Sequence, residues 1–133
     1  MIALDASVLI AYINPVDAHH QAATRILLTG TPGEMLVHTI TMAEVLVGGV
    51  RIGHGAAMRD DLHAAGIAVA PHDDGESLRL AELRATSGLK LPDCCVLDIA
   101  LRHRASLATF DNFLAAEARK RGVHIDDNCG HLT

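Results

Sequence analysis

Met1-Ile-Ala-Leu-Asp5-Ala-Ser7-Val-Leu-Ile-Ala-Tyr-Ile13 is the stretch that decides the fold. The short apolar run before Asp5 suits a parallel strand buried on both faces. From Ala6 onward the pattern reads as a helix. Asp5 therefore stands at the carboxyl end of a strand, the edge where open α/β sheets keep their ligands.

Working outward, Asn14-Pro15 breaks that helix, because Pro pushes the preceding residue out of the helical region. A second helix is expected over residues 16–28, with Ala22, Ala23, Ile26 and Leu27 on one face. Strands follow at 35–39, 67–70 and 106–109, and a fifth at 123–125. Helices lie between them at 41–50, 56–65, 74–86 and 92–103, and a last one spans 111–121 with Gly122 closing it. Residues 126–133 are polar and expected to be loosely held. Strands alternating with helices give a three-layer α/β/α sandwich around a central parallel sheet of four to five strands. At 133 residues the chain fits one domain, 1–133.

Composition narrows the function. The net charge of −5 weighs against a non-specific nucleic-acid binder, whose footprint is basic. Aromatics are limited to Tyr12, Phe110 and Phe113, which argues against a platform for stacking bases. Cys94, Cys95 and Cys129 have neither disulfide nor zinc spacing, so buried thiols in a reducing, cytoplasmic compartment are expected. No apolar run reaches the ~18 residues of a membrane span, and the N-terminal run lacks a basic flank.

Four acids stand at strand-to-helix or loop-to-helix junctions: Asp5, Glu44, Asp93 and Asp111. Each has an ordinary reading. Asp5 and Asp111 suit helix N-caps, Thr41-x-x-Glu44 is a capping box, and Asp93 complements a helix dipole. Capping, however, is served equally by Ser, Thr or Asn. Acids at all four junctions, converging on one sheet edge with no adjacent Lys or Arg, would repel one another. Hard divalent cations relieve this, because Mg²⁺ and Mn²⁺ prefer oxygen ligands. Ser7 and Thr109, each two residues from an acid, are placed to orient a carboxylate or a water from behind. Phosphodiester hydrolysis is the chemistry such a site performs.

Ile2-Ala-Leu-Asp5-Ala-Ser7, Thr41-x-Ala-Glu44, Leu91-Pro-Asp93 and Leu107-Ala-Thr109-Phe-Asp111, in this order, resemble the PIN-domain family. More narrowly, they resemble the VapC-type toxins of bacterial toxin–antitoxin pairs. The resemblance spans nearly the whole chain. It implies a PIN-like fold, Mg²⁺- or Mn²⁺-dependent endoribonuclease activity, and a cognate VapB-type antitoxin. It also implies a homodimer and an RNA substrate. It carries metal and catalytic roles onto Asp5, Glu44, Asp93 and Asp111, and supporting hydroxyl roles onto Ser7 and Thr109.

Asp98 departs from the family pattern. Four residues before Arg102, it reads as an ordinary i,i+4 ion pair. The nine histidines show no metal-ligand spacing. Arg51, Arg59, Lys90, Arg102 and Arg104 are candidates for contacts with RNA phosphates. A phospho-accepting receiver domain needs paired acids after its first strand, and an aspartyl phosphatase needs Asp-x-Asp; here Asp5 is followed by Ala6-Ser7. A PIN fold serving only for binding is a further alternative, against which the complete acid set counts.

Overall fold

A computed structural model describes residues 1–126. Cys129, His131 and all but the first residue of the polar tail lie outside them. The chain runs β1 (Ile2–Leu4), α1 (Ala6–Ile13), α2 (His20–Thr29), β2 (Met35–Val37), α3 (Thr39–Arg51), α4 (Gly55–Ala64), β3 (Ile67–Val69), α5 (Glu76–Ser87), α6 (Leu91–Arg102), β4 (Ser106–Ala108) and α7 (Asn112–Lys120). The strands pair in the order β3-β2-β1-β4, all parallel, with Ile2 in register with Met35 on one side and Ser106 on the other. The expected fifth strand is reduced to one parallel bridge between Leu107 and Ile125.

Strand residues alternate between two cores, because successive side chains point to opposite faces of a sheet. Ile2, Leu4, Met35, Val37, Ile67 and Ala108 face a core completed by residues of α1 to α4. Ala3, Leu36 and Leu107 face the other, completed by α5, α6 and α7. The architecture is thus the three-layer α/β/α sandwich read from the sequence. Burial on both faces explains why β1 and β2 are apolar throughout, whereas Val69 of β3 is exposed and β4 opens on Ser106.

Three helix starts differ from the sequence reading by two residues or more, each through a local hydrogen bond. α2 begins at His20 because the Asn14 side chain accepts from the Val16 N–H (3.2 Å) and Asp17 from the His19 N–H (2.8 Å). These Asx turns hold residues 14–19 out of the helix. α5 begins at Glu76, since Asp73 accepts from the Gly75 N–H at 2.9 Å. α3 begins at Thr39, capped by His38, whose Nδ1 accepts from the Ile40 N–H at 3.0 Å. Thr41 consequently lies inside the helix, with its hydroxyl buried and without a hydrogen-bond partner. The expected 41–44 capping box is not formed.

Candidate functional site

Three of the four acids are delivered by strands that end at the same sheet edge. Asp5 follows β1, Asp111 follows β4 by two residues, and Glu44 sits on the helix that leaves β2. Asp93 comes from the first turn of α6.

Asp5 is buried, and its backbone N–H donates to the Ala108 carbonyl, tying β1 to β4 (3.0 Å). Although it occupies the N-cap position of α1, its side chain makes no capping bond. Instead Oδ2 accepts from Ser7 Oγ (2.8 Å) and Thr109 Oγ1 (2.7 Å). Both hydroxyls are themselves held: Ser7 Oγ accepts from the Phe110 N–H (3.1 Å), and Thr109 Oγ1 from the Asp111 N–H (3.0 Å). Donating to Asp5 therefore fixes each hydroxyl proton, and the carboxylate is locked in one orientation.

Asp111 does cap its helix: one oxygen, Oδ1, accepts from the N–H groups of Phe113 (2.9 Å) and Leu114 (3.1 Å). Its other oxygen takes no hydrogen bond among the described residues. Glu44, freed from any capping box, is exposed on α3. Asp93 is half-buried, and its pKa is pushed up to about 6. Burial is the main cause, followed by repulsion from Asp5, Asp111 and Glu44, with Lys90 opposing weakly. The four acids thus share one electrostatic neighbourhood. Among the described residues, no Lys, Arg or His forms an ion pair with any of them. An oxygen-only donor set with uncompensated charge fits a hard divalent cation.

Elsewhere among the described residues, the buried carboxylates are compensated. Asp98 is fully buried and accepts from Arg79 Nε (2.8 Å) and Arg102 Nε (3.2 Å). The i,i+4 pair read from the sequence is present, with Arg79 added to it. Arg102 also reaches Asp73 and the Pro71 carbonyl, so it is spent on the framework rather than free for phosphate.

One cluster was not legible in the sequence. His38, His72 and Glu76, separated by up to 38 positions, bring their ligand atoms within 4.8 Å of one another. His38 Nε2 lies 2.5 Å from Glu76 Oε1, and His72 Nδ1 lies 2.6 Å from Oε2. Because His38 Nδ1 accepts from Ile40, its proton must sit on Nε2 and point at Glu76. The cluster is closed by protons, and a metal on Nε2 would have to break the α3 cap.

Cys94 and Cys95 are free and buried, as expected. No helix among the described residues is long and apolar enough to cross a membrane.

Comparison with known proteins gives three structural neighbours. The sarcin–ricin-loop-cleaving toxin VapC20 of Mycobacterium tuberculosis superposes with a TM-score of 0.72 at 16% identity, covering 87% of this chain and 94% of that one. FitAcB of Neisseria gonorrhoeae gives 0.70 at 20% identity over 99% and 100% of the two chains. A toxin–antitoxin complex from Klebsiella pneumoniae gives 0.67 at 24% identity over 83% and 85%. No curated protein sequence matches the chain. The sequence model of the PIN domain matches residues 2–120. With its four-stranded parallel sheet and its acids gathered at one end, the chain belongs to the PIN domain family.

Proposed function

We propose that this chain is a divalent-metal-dependent endoribonuclease and the toxin of a toxin–antitoxin pair. One observation carries the reading: four carboxylates share one electrostatic neighbourhood at the carboxyl edge of the sheet, and no Lys, Arg or His among the described residues forms an ion pair with them. Two structural neighbours, a toxin that cleaves the sarcin–ricin loop and a toxin–antitoxin complex, support the choice of RNA and of a protein antitoxin.

Asp5, Glu44, Asp93 and Asp111 would hold Mg²⁺ or Mn²⁺. The ion supplies Lewis acidity toward a phosphoryl oxygen and activates water for in-line attack. The protein's own contribution is placement. Ser7 and Thr109 hold Asp5 rigid, so the oxygen it presents does not reorganise as charge develops. Asp93, disfavoured as an anion in the bare cluster, would be stabilised as one by a neighbouring cation. Asp111 keeps one oxygen on its helix and offers the other. A second copy of the chain and a VapB-type antitoxin are the proposed protein partners.

The test is cleavage of a panel of structured RNAs in Mg²⁺ or Mn²⁺, with EDTA and Asp93→Asn protein as controls. Loss of cleavage in both controls supports the reading. Equal cleavage by wild-type and Asp93→Asn protein refutes the site.

A further inference from the structure

Composition argues against a base-stacking platform, yet folding lays a histidine ring on one of the few aromatics. Phe110 and Phe113 stand on either side of Asp111 in the chain, and Phe113 is 54% exposed on the first turn of α7. The half-buried ring of Phe110 is covered by the imidazole of His19, with centroids 4.3 Å apart and planes inclined by 13°. His19 itself is exposed, so the stack faces solvent on its outer side.

Both members of the stack are held in place by named bonds. The Phe110 N–H donates to Ser7 Oγ, which donates to Asp5, so the ring is rooted in the network that orients this acid. His19 belongs to the 14–19 connection, pinned by the Asn14 and Asp17 turns and by His20 Nδ1 on the Ala11 carbonyl (2.8 Å). Covering Phe110 alone would be done as well by Leu or Met. A flat imidazole lying parallel to it, on an exposed residue, is instead a geometry onto which a base can stack.

The charge inventory points the same way. Arg79 and Arg102 are held by Asp73 and Asp98, and Lys120 and Arg121 by Glu117. Four of the eleven Lys and Arg side chains are occupied in this way and the net charge is −5, so stacking is a natural supplement to phosphate attraction.

We propose that the His19–Phe110 stack binds one unpaired nucleobase beside the acid cluster, with exposed Phe113 offering a further ring. The proposal rests on the RNA-cleaving reading and narrows its substrate to single-stranded or looped RNA, because a base inside a duplex has no free face.

The experiment titrates a fluorescent single-stranded oligoribonucleotide, and a hairpin duplex of the same composition, into wild-type, His19→Ala and His19→Phe protein in Ca²⁺. Initial rates in Mn²⁺ are measured on the same single strand, and circular dichroism confirms folding of each variant. Base–aromatic stacking corresponds to roughly 5- to 150-fold in affinity. His19→Ala should therefore weaken single-strand binding by about 10-fold and raise KM while leaving kcat unchanged. His19→Phe, which keeps a ring, should bind like wild type, and hairpin binding should change in neither variant. Wild-type affinity in His19→Ala would overturn the proposal, as would equal weakening in both variants or equal loss on both RNAs. If His19→Ala instead releases a protein partner with RNA binding intact, the rings belong to a protein interface and the proposal falls. Unchanged RNA binding and cleavage in His19→Ala sinks this inference alone. Absence of both in the wild type sinks the nuclease reading with it.

Discussion

Two groups of carboxylates share this fold and are treated in opposite ways. Asp98, 1% exposed, receives two guanidinium groups, and Glu76, 7% exposed, receives two imidazoles. Asp5, 6% exposed, receives two neutral hydroxyls, and Asp93 receives repulsion. The titration of one side-chain type follows this division. A hydrogen bond from Arg79 leads the causes that bring Asp73 down to about 2, whereas burial and three like charges carry Asp93 up to about 6. Buried charge is costly unless paired. A chain that pairs its framework acids and leaves its sheet-edge acids bare therefore marks where an external cation belongs.

The sharpest way to break the comparison is to neutralise one acid of each kind. Asp5→Asn or Asp93→Asn should lower metal-dependent RNA cleavage by about 10³-fold or more, since several kcal/mol of charge stabilisation depend on the ion. The metal-free fold should not suffer, because a repelled charge has been removed; thermal melting in EDTA checks this. Asp98→Asn should do the reverse. It strands Arg79 and Arg102 against a neutral partner and should cost about 3–5 kcal/mol in urea unfolding, the range for a broken buried pair. Cleavage by the folded fraction should persist. If Asp93→Asn unfolded the protein while Asp98→Asn were silent, the division drawn above would be inverted.

Metal itself sharpens the contrast further. At 100-fold its dissociation constant, Mg²⁺ or Mn²⁺ should stabilise the wild type by about 2.7 kcal/mol through linkage. The gain should vanish in Asp93→Asn and survive in Glu76→Gln. Equal gain in all three, read from melting with and without EDTA, would move the ion away from the proposed site.

How legible this was in the sequence depended on whether the cause was local. The strands were readable because each is a short apolar run, and doubly covered strands have no polar face to confuse the pattern. Helix starts were misplaced wherever a side chain unlike the usual cap intervened. His38 replaces Thr41 at the head of α3, which removes the ordinary explanation for Glu44. The meeting of Asp5, Glu44 and Asp111 was foreseeable because parallel topology sends strand ends to one edge, whereas Asp93 reaches them from the first turn of α6, after a loop. The His38–Glu76–His72 contact and the His19–Phe110 stack join residues 38 and 91 positions apart in the chain, and no periodicity encodes such a meeting.

The smallest effect concerns Glu76, the compensated acid whose bonds come from imidazoles. Burial alone would raise its pKa, but hydrogen bonds from His38 and then His72 outweigh this and hold it below the ordinary 4.5. A depressed carboxyl contributes stability that is present above its unfolded pKa and lost as pH falls through the folded value. Glu76→Gln should therefore cost about 1–3 kcal/mol near neutral pH, the range for a buried hydrogen-bonding group left imperfectly paired. The gap between wild type and variant should close as the pH drops below about 4.5. Besides His38 and His72, Cys95 also faces this corner but does not interfere: burial first, and Glu76 after it, push its thiol up to about 11, so it stays neutral throughout. Urea midpoints for the two proteins at neutral pH and again below pH 4.5 decide the matter. A gap that stays constant with pH would mean that shape rather than charge holds β2 to the start of α5. Glu76 would then leave the compensated group, in which Asp98 and Glu117 remain as buried members.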